Sequence, residues 1–169
     1  MMTRSLASGA RIMEVLDEKI DITDELARDI SVERGEIEFD HVSFAYPEAG
    51  ENVLTDISFK AKKGQTIAVI GSTGSGKSTL INLIPRYYDV TKGSVKVDGV
   101  DVRDMTQKEL RDKLGYVPQK GVLFSGTIDS NIRYGKPEIT DAQVKEAAEV
   151  AQATEFIDTK PEKYESPVS

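Results

Sequence analysis

The fold of this chain is decided by the stretch Gly71-Ser72-Thr73-Gly74-Ser75-Gly76-Lys77-Ser78. The stretch fills the phosphate-binding pattern Gly-x-x-x-x-Gly-Lys-[Ser/Thr] at every fixed position. It follows the β-branched run Thr66–Ile70 and precedes the apolar run Leu80–Ile84, so we predict a strand, a loop and a helix in that order. A glycine-rich linker without function would need neither the lysine nor the hydroxyl after it. The sequence therefore predicts a nucleoside triphosphate as ligand.

Each residue type in this loop has a physical reason. We expect the glycines at 71, 74 and 76 to take positive φ and to turn successive N–H groups into one concavity. The helix that begins near Lys77 adds partial positive charge and free N–H donors. We expect Lys77 to reach the β- and γ-phosphates, Ser78 to bind Mg²⁺, and Thr79 to support the α-phosphate.

Composition limits the other possible functions. The 169 residues fit one domain, and the 22 Lys and Arg against 29 Asp and Glu give a net charge of −7. This charge argues against a nucleic-acid partner or a general anionic-membrane surface. The chain has no cysteine, no apolar run long enough to span a bilayer and no apolar centre of a signal peptide near Met1. The cytoplasm is the default location.

The first part of the chain predicts a helix, a linker and a small antiparallel sheet. Residues 5–20 have amphipathic spacing, with apolar Leu6, Met13, Leu16 and Ile20. A charged linker follows, and we place the boundary near Gly35, which divides the chain into 1–34 and 35–169. The residues Ile37, Phe39, Val42 and Phe44 indicate a strand with one irregularity, and Ile57 with Phe59 indicates a second, antiparallel strand.

Local signals continue after the loop. Asp98-Gly99 between two alternating segments predicts a hairpin over residues 95–102. Thr106 and Glu109 predict a capping box on a short helix. We predict a short strand over Leu114–Pro118 ending at Gln119. Helices are expected at 127–134 and 140–151, the second with Val144, Ala147, Ala148 and Ala151 on one face.

Two further residues accompany the loop in the sequence. Tyr46 is an aromatic residue ahead of the loop, and Gln119 follows a predicted strand. Together with the loop and the segments Ser94–Gly99 and Gly121–Ile128, the chain resembles the nucleotide-binding domain of an ATP-binding cassette (ABC) transporter. Residues 10–17 are similar to the exporter segment that joins the last membrane helix to the ATPase domain. The resemblance implies an α/β fold: a P-loop NTPase core with an N-terminal antiparallel β subdomain and a partial helical subdomain.

The same resemblance assigns roles to residues of this chain. Tyr46 would stack on the adenine of ATP, and Gln119 would contact Mg²⁺ or the attacking water at the hinge to the helical subdomain. Ser78 and Gln119 would therefore be the metal contacts. Residues 120–134 would lie near the membrane domain's cytoplasmic loops, although Lys120 replaces an acidic residue often found in exporters.

Two motifs of that family do not occur in the sequence. These are Leu-Ser-Gly-Gly-Gln and four apolar residues ending in Asp-Glu, which would supply the catalytic base. The only histidine, His41, precedes the loop, so we interpret it as a strand residue. We expect a C-terminal truncation, a gap in the parallel sheet and low stability of the isolated chain, and we assign no catalytic residue beyond a possible role for Gln119.

Three functional hypotheses remain open at this point. In a full-length parent the domain would couple ATP hydrolysis to export, partnered by the transmembrane domain and by a second identical or different nucleotide-binding domain at the cytoplasmic face of the membrane. The 169 residues alone would bind ATP without hydrolysing it. The alternative is a stand-alone P-loop module or another P-loop NTPase. Asp112-Lys113-Leu114-Gly115 matches the GTPase pattern Asp-x-x-Gly, but no Asn-Lys-x-Asp follows.

Overall fold

The computed structural model describes residues 2–25, 27, 35–47 and 49–168. Contacts group the chain into two compact units, Met1–Gly115 and Tyr116–Ser169. The helices are α1 (Met2–Leu16), α2 (Lys77–Leu83), α3 (Gln107–Asp112), α4 (Ile128–Ile132), α5 (Asp141–Val150) and α6 (Thr154–Asp158). The strands are β1 (Ile37–Phe44), β2 (Leu54–Ala61), β3 (Lys92–Val97), β4 (Val100–Asp101), β5 (Gly126–Thr127) and β6 (Pro167–Val168). Short 3₁₀ turns cover Val102–Asp104 and Lys163–Glu165.

The first unit contains the predicted antiparallel sheet, in the order β2-β1-β3-β4. Phe39 pairs with Phe59 on one side and with Val95 on the other. The register shifts between Phe39 and Val42, where His41 takes a φ of 49°. The register with β2 shifts again between Val42 and Phe44, so β1 has two irregularities where the sequence predicts one. His41 is confirmed as a strand residue.

One face of this sheet forms the core of the first unit. Its buried side chains come from β1 to β3, from α2, from the segment that leads into α3 and from α3 itself: Phe39, Val42, Phe44, Leu54, Leu80, Leu83, Val95, Val97, Val102, Met105 and Leu110. Phe39 also stacks on Phe59 with ring centroids 4.7 Å apart. The buried apolar residues are spaced two apart in the strands and three apart in α2. These spacings place them on one face, because side chains alternate along a strand and repeat about every 3.6 residues along a helix. The core thus fixes the start of α2 against the sheet.

Two predicted strands are absent from the described part of the chain. Residues 65–72 and 114–118 have no regular secondary structure. Ile70 is 93% exposed and Val117 is 94% exposed. A strand needs a neighbour to take its N–H and C=O groups, and the described sheets pair only β1 to β4 and β5 with β6. The strand predictions for Thr66–Ile70 and Leu114–Pro118 are therefore wrong for this structure.

The N-terminal helix forms, with different bounds from those predicted. It ends at Leu16 rather than at residue 20, and the apolar side chains of Ile12, Met13, Val15 and Leu16 are exposed. The side chain of Leu6 and residues 28–34 of the predicted linker lie outside the described residues. No helix in the described part of the chain is both long and apolar enough to cross a membrane.

The described residues of the second unit form the helices α4 to α6, the strand pair of β5 and β6, and the 3₁₀ turn at Lys163–Glu165. Thr127 and Thr140 cap α4 and α5, each within a capping box. Val144, Ala148 and Ile157 are buried. Ala147 and Ala151 are exposed, so only half of the predicted apolar face of α5 is buried. Ala147 lies at the rim of that face, and Ala151 lies beyond the end of the helix.

Candidate nucleotide-binding site

The glycine-rich loop enters α2 through two left-handed glycines. Gly74 has a φ of 83° and Gly76 has a φ of 85°. Gly71 does not adopt positive φ, so that part of the prediction is wrong. A Cβ atom there would lie 2.5 Å from Ser75 Oγ, so a side chain at this position would require the Ser75 hydroxyl to turn away. The positive φ of Gly74 and Gly76 lets the backbone turn tightly into α2.

Gly76 joins the loop to the core. It is the residue before the first helical residue of α2, and its carbonyl accepts a hydrogen bond from the amide of Leu80 at 2.9 Å. A Cβ atom on Gly76 would lie 2.9 Å from Leu54 Cδ2 and 3.2 Å from the carbonyl oxygen of Val53. No side chain caps this helix end. The N–H groups of its first turn are therefore left for a ligand.

Lys77 lies folded over the loop. Its ammonium nitrogen donates to the carbonyl oxygens of Gly71, at 2.8 Å, and Ser72, at 2.6 Å, and it lies 3.3 Å from Ser75 Oγ. All three acceptors belong to the loop itself. The cation is thus fixed beside the N-terminus of α2, where phosphate oxygens could replace the carbonyl oxygens as acceptors.

The structure brings Tyr46 to this loop. The Tyr46 hydroxyl lies 2.9 Å from Thr79 Oγ1, and Thr79 is buried within α2. Ser78, one residue earlier, is exposed. A cavity of ≈ 330 Å³ is lined by Tyr46, Val53, Gly74, Ser75, Gly76, Lys77, Ser78 and Thr79. Sequence reasoning missed Val53, because no motif marks the residue that precedes β2.

Gln119 belongs to the second unit. It is exposed and lies in an irregular segment, since the strand expected to end there is not formed. Its role toward Mg²⁺ or water stays a prediction. No group of three His, Asp or Glu side chains suited to a metal ion occurs among the residues that the structure describes.

The single histidine of the sequence, His41, is paired with the carboxylate of Asp56. Its Nδ1 lies 2.6 Å from Asp56 Oδ1, across the bulge between β1 and β2. Both residues have positive φ, 49° and 52°. The hydrogen bond and the charge of Asp56 raise the pKa of His41 above 6.5. The pair lies in the sheet and does not line the cavity beside the loop.

The model of the family described as "ABC transporter" matches residues 54–169, more than half of the chain. This chain belongs to the ABC transporter family. The protein YgaD of Bacillus subtilis (strain 168), named for multidrug export and as an ATP-binding/permease protein, is 46% identical over 168 residues. The similarly named SAV1866 of Staphylococcus aureus (strain Mu50 / ATCC 700699) is 44% identical over 158 residues. These matches cover 99% and 93% of this chain, but 29% and 27% of the relatives.

A solved structure also matches nearly the whole chain. A bacterial Atm1-family ABC exporter with ATP bound aligns with a TM-score of 0.87 and 36% identity, over 99% of this chain and 30% of that one. The likeness confirms the exporter-type resemblance and the α/β fold of a nucleotide-binding domain. The chain spans less than a third of the length of the relatives it matches. Nothing in these matches supports a stand-alone P-loop module or another class of NTPase.

Proposed function

We propose that this chain binds ATP in the cavity between Tyr46 and the phosphate loop. In a whole exporter, such a domain would couple ATP binding and hydrolysis to transport across the membrane. The observation that carries the proposal is the shared cavity, which places an aromatic ring, a fixed ammonium group and an uncapped helix end around one space.

The phosphates would be held by the backbone and by Lys77. Residues 71–78 supply N–H groups, and the start of α2 adds partial positive charge. When ATP binds, the Lys77 ammonium exchanges carbonyl oxygens of its own loop for β- and γ-phosphate oxygens. The exchange replaces neutral acceptors with charged ones, which form the stronger hydrogen bonds.

The base would stack on Tyr46, while the phosphates occupy the loop end of the same cavity. Stacking on an aromatic side chain contributes about 1–3 kcal/mol per base and tolerates any base. This site therefore predicts weak discrimination between ATP and GTP. The sequence predicts a contact between Thr79 and the α-phosphate, but the Thr79 hydroxyl is hydrogen-bonded to Tyr46 in this structure.

Mg²⁺ fits the donor set at the start of α2. Ser78 is exposed beside Lys77 and offers one hydroxyl oxygen. A cation that keeps several waters and takes phosphate oxygens needs only this small protein contribution. When bound, Mg²⁺ neutralises charge on the β- and γ-phosphates. We propose Gln119 as the second contact, to Mg²⁺ or to water.

The proposed partners are the transmembrane domain of the same transporter and a second nucleotide-binding domain, identical or different. Residues 1–34 would connect the membrane domain to the nucleotide-binding domain at 35–169, on the cytoplasmic face of the membrane. The sequence of this chain holds no run of four apolar residues followed by Asp-Glu, the pattern that would supply the catalytic base. We therefore expect the 169 residues to bind ATP without hydrolysing it.

The substitution Lys77→Ala tests the proposal. Loss of a charge-assisted contact should cost about 1.5–3 kcal/mol, or roughly ten- to a hundredfold in ATP affinity, as measured by calorimetric titration with Mg²⁺ present. Lys62→Ala, which removes an exposed lysine that does not line the cavity, is the matched control and should bind like the original chain. Unchanged ATP binding by a folded Lys77→Ala variant would overturn the assignment.

A further inference from the structure

We propose that Thr79 is a positioning residue for the base of the nucleotide. Its hydroxyl holds the Tyr46 ring, so that the helix after the phosphate loop also fixes the side chain on which the base stacks. The inference rests on the proposed function, because it assumes that Tyr46 stacks on the base. It assigns to Thr79 a role that the phosphate-binding pattern does not contain, since that pattern ends at Ser78.

The direct contact is a hydrogen bond between two hydroxyl groups 33 positions apart. Tyr46 Oη and Thr79 Oγ1 are separated by 2.9 Å, and either group can donate. Thr79 is only 6% exposed and is the third residue of α2, whose Leu80 and Leu83 are in the core. The anchor is therefore rigid, while the half-buried Tyr46 borders the cavity.

Tyr46 needs such an anchor because it lies beyond the end of β1. Two backbone contacts restrain its loop: the Ala45 amide donates to Thr91 Oγ1 at 3.1 Å, and the Ala49 amide donates to the Tyr46 carbonyl at 3.0 Å. Neither contact fixes the side chain. The Thr79 hydroxyl restrains the far end of the ring.

Two neighbouring rings restrain the body of the Tyr46 side chain. Phe44 lies 4.9 Å from it, centroid to centroid, at 82°, and Tyr88 lies 5.2 Å from it at 89°. These edge-to-face contacts limit tilting of the ring, and the hydroxyl bond limits its swing. A ring held in one orientation loses less conformational entropy when a base binds, and this preorganisation increases affinity.

The competing role for Thr79 is a direct contact with the α-phosphate. The two roles differ in which part of the nucleotide they affect. Loss of a positioning contact weakens binding of the base and spares the phosphates. Loss of a phosphate contact weakens binding of any triphosphate, including one without a base.

The experiment compares ATP with inorganic tripolyphosphate, both with Mg²⁺, by calorimetric titration of this chain. Thr79→Val keeps the shape of the side chain and removes the hydroxyl. It should weaken ATP binding about two- to tenfold and leave tripolyphosphate binding unchanged. Thr79→Ser keeps a hydroxyl and should restore most of the ATP affinity. Tyr46→Phe should match Thr79→Val, and the double variant should lose no more than either single variant.

The other outcomes would overturn either the positioning role of Thr79 or the stacking proposed for Tyr46. Equal losses for ATP and tripolyphosphate in Thr79→Val would overturn the inference in favour of a phosphate contact. Unchanged ATP binding in Thr79→Val or additive losses in the double variant would also overturn it. If the original chain binds ATP no more tightly than tripolyphosphate, the stacking proposed for Tyr46 fails instead. Should Thr79→Val not fold, Tyr46→Phe alone decides the question, since its hydroxyl lies on a half-buried residue outside the regular elements.

Discussion

The ammonium nitrogen of Lys77 lies 2.6 Å from the carbonyl oxygen of Ser72. The lysine is thus held by the backbone of the loop that it serves, with Gly71 as a second acceptor at 2.8 Å. In the proposed site, these contacts hold the cation beside the N-terminus of α2 before ATP binds. The cost of ordering the long side chain is then met during folding and not during binding.

Gly76→Ala should destabilise the first unit and weaken ATP binding. An alanine there would need a φ of 85° and would place its Cβ 2.9 Å from Leu54 Cδ2. We expect a loss of about 2–4 kcal/mol in the free energy of unfolding, measured by urea titration, from left-handed strain plus overpacking. Gly64→Ala is the matched control: Gly64 has a φ of 80° but open space around its Cβ position. It should cost only the strain, about 1–2 kcal/mol. Equal losses in the free energy of unfolding for the two variants would show that the close contact with Leu54 of β2 adds nothing to the effect of Gly76→Ala.

The pair formed by His41 and Asp56 should make stability depend on pH. The pKa of His41 is raised in the folded chain, so its contribution is fully present below the unfolded value of 6.5 and is lost as pH rises through the folded pKa. Because the sequence has one histidine, NMR titration of its ring signals reads this pKa without assignment. Asp56→Asn should move the pKa back toward 6.5, since the carboxylate is its main cause. An unchanged titration in that variant would contradict the assigned cause.

Asp89→Asn should destabilise the segment that follows α2. The guanidinium of Arg86 is 6% exposed and makes a two-pronged contact with Asp89, at 2.8 Å and 3.2 Å. Removing the carboxylate charge should cost about 1.5–3 kcal/mol in the free energy of unfolding. Lys108→Gln, which breaks the short but exposed ion pair with Asp112, should change it by about 0.5 kcal/mol or less. Similar effects for both variants would mean that burial of Arg86 does not strengthen its ion pair.

Residues 66–70 should exchange their amide hydrogens quickly. They lack strand partners and are exposed, whereas β1 is paired on both sides by β2 and β3. Hydrogen-exchange mass spectrometry should show 66–70 exchanging at nearly the rate of an unstructured peptide, and β1 far more slowly. Strong protection of 66–70 in a monomeric sample would contradict the irregular conformation found here.

Local signals allowed much of the first unit to be predicted from sequence. Asp98 and Gly99 both take positive φ in the expected hairpin turn, and Thr106 and Glu109 form the expected capping box. Each of these features depends on residues within three or four positions of one another. The loop and the start of α2 were found for the same reason.

The features that could not be predicted depend on distant residues. The run Thr66–Ile70 has strand composition, but a strand also requires a partner, and composition does not reveal whether one is present. The bond between Tyr46 and Thr79 joins two elements through tertiary packing, so no spacing in the sequence marks it. The sequence predicts positive φ at Gly71 as well as at Gly74 and Gly76, but only the latter two adopt it, because the path of the chain before the loop depends on residues outside the motif.

In the proposed site, residues 71–78 bind the phosphates of ATP. A titration of the ¹⁵N-labelled chain with Mg²⁺ and ATP, read at the backbone amides, tests this binding. We expect saturable shifts at Gly74, Gly76 and Lys77, with much weaker binding in the Lys77→Ala variant. Unchanged signals from these three amides at saturating ATP would contradict the proposed binding.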